Sequence, residues 1–376
     1  MDIIQNDHKN PKKRYVIAQH QLYLARPDVW RKLKRENTID KKYRPMTRRI
    51  AFMTYFSQPL QRLQNNLNLR SLKRINFEDK PPLFILGHWR TGTTFLHNLL
   101  HLDKRYGYLS NYQTFVFTVA LLSKRVVRAL SKPLFPTERS QDNVKVSPSY
   151  PAEEEQPFSM ISTRTGMNTF FFPRNRMYFD KYNVFKGISV REKRLWRRDY
   201  IYLLRNISLY NKNKPLLLKN PHNTGRIKEL LELFPHAKFI FLHRDPYTVF
   251  LSTLHMYDRV VRTQFLQDVS DKEIEDLVMY MSRETLQKYL DDRHLIPEGN
   301  LIEIAYNDLS DNPYETVKRI YEELSLPDFK VAEPAIQQHL DEVKNYKKNV
   351  FKELPPEQKA RVRKELDFYF KEFGYE

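Results

Sequence analysis

Glycine is scarce in this chain, at 8 of 376 residues, yet Gly87 and Gly92 stand close together with Arg90, Thr91, Thr93 and Thr94 between or beside them. Backbone N–H groups, hydroxyls and one guanidinium gathered in so short a span are the donors that hold a phosphate-like anion. Three consecutive acids, Glu153, Glu154 and Glu155, follow Pro151 and Ala152. A carboxylate beside a cationic site can take the proton from an attacking hydroxyl. Lys219 ends the apolar run 216–218, and Arg244 follows closely on a second run at 239–242, with Ser252 eight residues beyond it. A lysine can stabilise charge on a transferred group, and an arginine at a strand end can grip a phosphate in bidentate fashion. The chemistry these residues share is the handling of a polyanion.

The elements that must position them follow from the apolar pattern. Residues 83–86 are a short apolar run of buried-strand length, and Phe95, Leu96, Leu99 and Leu100 then recur at helical spacing. Strand, glycine loop and helix together form a phosphate cradle. The interval matches the Walker form G-x-x-x-x-G-K-[ST], but Thr93 stands where the lysine belongs and the nearby cation is Arg90. Further strands are expected at 216–218, 239–242 and 300–305, each followed by a helix. Thr224 is expected to cap a helix over 226–234, and Asp245 with Pro246 to open the next one. The acids at 153–155 have a second reading, as the first turn of a helix with Pro151 at its start. Residues 271–292 are an amphipathic helix, and 356–373 a helix in a charged tail. Residues 1–80 are helical, with Phe52, Phe56, Leu60, Leu63, Leu67 and Leu69 at helical period. The Lys/Arg excess of that region reads as a solvated face. His97 and His101 share a helix flank without a carboxylate between them, so no metal is expected there. Short strands alternating with helices give an α/β domain with a mainly parallel sheet.

Composition sets the outer bounds. Hydrophobic residues make up 41% and charged residues 29%, a globular balance. The formal net charge is +19, which attracts anionic partners without choosing among them. There is no cysteine, so disulfides, thiol catalysis and cysteine-bound zinc are excluded. No signal-peptide core precedes residue 27, and the longest apolar run, about 115–122, is far short of the roughly 20 residues of a membrane helix. The expectation is a soluble, cytoplasmic protein, with the basic patches leaving contact at a membrane surface open. Basic turns at 9–14 and 346–349, and polar loops at 139–143, complete the inventory.

The run Phe-Ile-Leu-Gly-His-Trp-Arg-Thr-Gly-Thr-Thr-Phe-Leu at 84–96 resembles the 5′-phosphosulfate-binding loop of sulfotransferases that use 3′-phosphoadenosine 5′-phosphosulfate (PAPS), in its R-[ST]-G-T-T version. The stretch Phe-Pro-His-Ala-Lys-Phe-Ile-Phe-Leu-His-Arg-Asp-Pro at 234–246, with Ser252, resembles their 3′-phosphate-binding element. The acidic element after Pro151 and the Lys-x-Pro turn at Lys219 are similar to further family features. Tyr306-Asn307-Asp308-Leu309 is similar to the family's Tyr-Glu-Asp-Leu, with Asn307 replacing the glutamate, so no role is assigned to that position.

The resemblance covers roughly residues 82–350 and implies a P-loop-like three-layer fold. It divides the chain into a helical N-terminal extension at 1–80, a sulfotransferase core at 81–330 and a helical C-terminal tail at 331–376. It implies that Arg90, Thr91, Gly92, Thr93 and Thr94 hold the phosphosulfate of PAPS and that Arg244 and Ser252 hold the 3′-phosphate. Glu153, or else Glu154, would be the base, and Lys219 would stabilise the leaving oxygen, with no metal required. The acceptor would be the hydroxyl of a glycan, a lipid or a small molecule. Two alternatives remain. One is a divergent P-loop kinase, which lacks its lysine and a convincing metal-binding aspartate. The other is a nucleic-acid-binding protein, which the charge suggests but the ordered motifs do not explain, so nucleic acid is not expected as a partner.

Overall fold

The computed structural model describes residues 20–122, 147–344 and 353–376. The expected turns at 9–14 and 346–349 and the loop at 139–143 lie outside the described residues.

Four parallel strands form one sheet: β1 Leu83–Leu86, β2 Leu217–Lys219, β3 Lys238–His243 and β4 Leu301–Ala305. Their order is β2-β1-β3-β4. Phe84 pairs with Leu218 on one side and Phe239 on the other, and Ile240 pairs with Ile302. Each expected strand is present at its expected place.

Successive side chains of a strand point to opposite faces, and here they supply two separate cores. Phe84, Leu86, Leu218, Phe239 and Phe241 join the larger one, with Trp30, Phe158, Trp196 and Tyr289 from covering helices. Leu83, Ile85, Leu217, Ile240 and Leu242 join the other, with Leu96, Leu99, Val317 and Ile320. Helix, sheet and helix are thus the three layers the α/β reading requires. Leu22 and Leu33, and Val362, Tyr369 and Phe370 from the last two helices, are in the same large core, so described segments on both sides of the sheet region in sequence pack onto it.

Local sequence explains the longest covering helices. Ser189 and Glu192 form a reciprocal capping box at the start of Val190–Tyr210, and Ser270 and Glu273 do the same for Asp271–Asp292. On the first of these helices the basic side chains Arg191, Arg194 and Arg198 are exposed. The Trp196 indole is buried while Arg197 pairs with Glu229 and Arg198 with Asp199.

Two local expectations are corrected. Pro151 does not start a helix; it bridges Ser110, and the helix runs Glu155–Ile161. The tail at 356–373 is two helices, Pro356–Glu365 and Asp367–Phe373, because Leu366 leaves helical geometry between them. The helical expectation for 52–69 is met by Arg44–Arg74, a helix of 31 residues that carries its apolar stripe on the outside. No helix among the described residues is long and apolar enough to cross a membrane.

Candidate active site

All four strands carry candidate site residues at their carboxyl ends, the edge at which open parallel sheets bind ligands. Gly87 follows β1, Lys219 ends β2, Arg244 follows β3 and Tyr306 follows β4.

The loop between Gly87 and Gly92 is tightly built. Gly87 has φ of +140°, and a Cβ there would lie 2.7 Å from the main-chain oxygen of Leu242 on β3. Gly92 has φ of +96°, and a Cβ there would lie 2.8 Å from the ring of Tyr306. Only glycine fits either place. Arg90 also takes a positive φ, 71°, an uncommon conformation for a side-chain-bearing residue that aims its guanidinium inward. Thr93 begins the helix Thr93–Leu100, whose first N–H groups have no partner within the helix and face the loop.

The expected helix cap at Thr224 is absent. Arg226 occupies that place, and the helix runs Ile227–Leu233. The Thr224 hydroxyl instead accepts from the Gly87 N–H at 2.8 Å and donates to the Gly87 oxygen at 3.1 Å. It clamps the first glycine of the cradle. Asp245 does cap its helix, accepting from the Thr248 N–H at 2.8 Å.

The cationic residues converge. Arg90 Nε donates to Ser252 Oγ at 2.8 Å, and Arg244 Nη1 donates to the Arg90 carbonyl at 3.0 Å. The Arg244 guanidinium stacks on Tyr306, 3.8 Å from the ring centre. Burial pulls Arg244 below the usual guanidinium value, and the charge of Arg90 acts in the same sense. Two guanidiniums anchored by a serine hydroxyl, a carbonyl and an aromatic face keep their charge for an anion. Residues more than 150 positions apart in the chain are thus brought together beside the glycine loop.

The three consecutive glutamates have three separate environments. Glu153 is partly exposed, and its Oε1 accepts from Lys219 Nζ at 2.5 Å; the same ammonium reaches Thr94 Oγ1 at 3.4 Å. Glu154 is fully buried, accepting from Asn223 Nδ2 at 2.8 Å and the Tyr200 hydroxyl at 3.2 Å. Burial pushes its pKa up to about 7. Glu155 is also fully buried. Both its oxygens accept from Arg226 at 2.7 Å, one also accepts from Asn220 Nδ2 at 2.7 Å, and the other from Thr165 Oγ1 at 2.5 Å. Burial alone would raise its pKa, but Arg226 outweighs that and holds it at about 2. The first acid therefore faces the site, and the next two pin the 155–161 helix and the Lys219 turn to the fold.

His97 and His101 are both buried on their helix, and among the described residues no group of three or more acidic or histidine side chains is arranged to hold a metal. Several site residues escaped the sequence reading. Tyr306 carried a signal, since it opens the Tyr-Asn-Asp-Leu segment directly after β4. Thr224, Tyr200, Asn223 and Arg226 carried none, because each acts through a contact distant in the chain.

The protein-family model described as the sulfotransferase family matches residues 81–330. A curated relative, an omega-hydroxy-beta-dihydromenaquinone-9 sulfotransferase of Mycobacterium tuberculosis, is 32% identical over 296 residues, which are 79% of this chain and 76% of the relative. The same enzyme of Mycobacterium bovis matches to the same extent. Among solved structures, sulfotransferase STF9 from Mycobacterium avium superposes with a TM-score of 0.66 at 18% identity, covering 94% of this chain and 97% of that one. Sulfotransferase STF1 from Mycobacterium tuberculosis gives a TM-score of 0.60 at 16% identity, covering 91% and 98%. These two likenesses concern the fold.

Proposed function

The chain belongs to the sulfotransferase family and is a sulfotransferase, and from that premise we propose that it moves a sulfuryl group from PAPS to the hydroxyl of a lipid. The observation that carries the reading is the position of Lys219. Its ammonium lies between Thr94 of the anion cradle and the carboxylate of Glu153.

In this reading the loop from Arg90 to Thr94 holds the phosphosulfate, with Thr91 buried and fixed to the His88 oxygen at 2.8 Å as a brace. Arg244 and Ser252 hold the 3′-phosphate. The acceptor oxygen attacks sulfur, its proton passes to Glu153, and the bond from sulfur to the 5′-phosphate oxygen breaks. The charge left on that oxygen is met by Lys219 and the loop donors. Positioning and fixed charge supply the rate enhancement. Glu153 is the base in this proposal, because it is partly exposed beside Lys219 while Glu154 is fully buried against Tyr200 and Asn223. Lys219 donates to Glu153, and in this reading its ammonium also serves the phosphosulfate, which leaves the second carboxylate oxygen for the acceptor proton.

The lipid acceptor is supported by the curated relatives, whose name states an omega-hydroxylated dihydromenaquinone. The test is transfer from radiolabelled PAPS to an omega-hydroxylated isoprenoid quinone, a simple phenol and an oligosaccharide, each offered separately. Label in the quinone fraction, lost in Glu153→Gln, is the expected result. Label on the phenol or the oligosaccharide alone contradicts the lipid assignment.

A further inference from the structure

The helix Arg44–Arg74 is packed inside out. It buries Thr54, Ser57, Gln61 and Gln64 against the body of the protein. Those polar groups are satisfied there by main-chain partners. Gln61 Nε2 donates to the Leu24 and Ala25 oxygens at 3.3 Å, and Gln64 both donates to the Phe117 oxygen at 3.3 Å and accepts from the Leu121 N–H at 2.7 Å. Ile50 and Leu72 are buried toward its two ends, but the phenylalanines and leucines between them point the other way. Phe52, Phe56, Leu60, Leu63 and Leu67 are 65%, 70%, 47%, 48% and 67% exposed.

Their spacing of four, four, three and four residues puts all five on one stripe of the helix surface. Phe52 and Phe56 stack on each other, with ring centres 5.6 Å apart, so the stripe is an ordered surface. Outward-facing aromatic and aliphatic side chains at this density mark an interaction face.

The charges on the helix choose its partner. The 31 residues contain no aspartate or glutamate. Arg48 and Arg49 precede the stripe, Arg62 lies beside it, and Arg70, Lys73 and Arg74 follow it, all exposed. A face of Phe and Leu flanked by Arg and Lys suits the headgroup–acyl boundary of an anionic lipid surface, where rings and alkyl chains insert and cations meet phosphates. A partner helix of a second copy would bring the same cations against its own, and the net charge of +19 would add to the repulsion.

We propose that the outer face of the helix Arg44–Arg74 docks the enzyme on an anionic membrane surface, through Phe52, Phe56, Leu60, Leu63 and Leu67. The inference stands on the packing of this helix and not on the identity of the acceptor. It goes beyond the proposed reaction by giving the enzyme a place from which to take a hydroxyl-bearing lipid.

The test is co-sedimentation of the full chain with phosphatidylcholine vesicles, with and without phosphatidylglycerol. Wild type is expected to bind the phosphatidylglycerol vesicles, and Phe52→Ser/Phe56→Ser/Leu63→Ser to bind about tenfold or more weakly. The melting temperature and the affinity for 3′-phosphoadenosine 5′-phosphate are expected to stay the same, which separates this result from any failure of the active-site reading. Phe56→Trp gives a second readout that keeps the apolar face. Its added fluorescence is expected to be quenched by vesicles carrying brominated acyl chains. Equal binding by the triple variant, or an unquenched Phe56→Trp, overturns the proposal. So does a dimer that the triple substitution dissolves in a protein that ignores vesicles.

Discussion

The Arg244 guanidinium donates to the main-chain oxygen of Arg90 at 3.0 Å, while the Arg90 guanidinium turns away to Ser252 at 2.8 Å. Each cation is fixed by the element that carries the other, so the loop after β1 and the segment after β3 are tied into one cationic unit, the anion receptor of the proposed reaction. Residues 90 and 244 meet because β1 and β3 are neighbours in a sheet whose order is β2-β1-β3-β4.

Removing either cation should therefore weaken donor binding and leave the fold intact. Arg244→Ala and Arg90→Ala are each expected to cost about 1.5–3 kcal/mol of affinity for 3′-phosphoadenosine 5′-phosphate, roughly ten- to hundredfold. Calorimetric titration measures this. A shift of less than twofold in both variants would remove the assignment of these residues.

Lys219 and Glu153 should separate chemistry from donor binding. Glu153→Gln removes a base that touches no donor in this reading, so its turnover is expected to fall by about 10²–10⁴ with donor affinity nearly unchanged. Lys219→Ala is expected to lose both turnover and part of the affinity. A Glu153→Gln enzyme with wild-type turnover would move the base elsewhere.

Glu154 should reveal itself through pH. Its folded pKa is raised by burial to about 7, above its ordinary value of 4.5. Between these values the folded state binds more protons than the unfolded chain, so stability falls as pH rises through this window. Glu154→Gln should match wild type near pH 4 and gain stability relative to it above pH 7, by on the order of 3 kcal/mol. Denaturant titrations at the two ends of the window provide the check. A constant difference across them would contradict the burial argument.

Glu155 carries the opposite sign. Its folded pKa, about 2, lies below its ordinary value, so its pairing with Arg226 contributes stability above pH 4.5 that is lost as pH falls toward 2. Both side chains are fully buried, and Arg226→Ala leaves a buried carboxylate without its ion-pair partner, at an expected cost of about 3–5 kcal/mol. Thermal unfolding of the variant at neutral pH, against wild type, measures that cost. A loss under about 1 kcal/mol would show that the pair is not structural.

Much of this arrangement was legible in the sequence. The strands, the glycine cradle and the Arg244 element are local signals of apolar runs, glycine spacing and a Pro-led helix, and each was found where expected. Contacts distant in the chain were not legible. Thr224 reads as a helix cap until β1 is placed beside it. The three glutamates look equivalent until Lys219, Asn223 and Arg226 supply three different partners. Periodicity finds the apolar stripe at 52–67, but it fixes a face and not the direction in which that face points. Only the buried glutamines at 61 and 64, bonded to main-chain groups of neighbouring segments, decide that the stripe faces outward.

The measurement closest to the central claim is a calorimetric titration of the full chain with 3′-phosphoadenosine 5′-phosphate, beside ATP with magnesium. The account predicts micromolar or tighter binding of the bisphosphate, much weaker binding of ATP, and loss of the difference in Arg244→Ala. Equal affinity for the two nucleotides, or no binding of the bisphosphate by a folded protein, would contradict it.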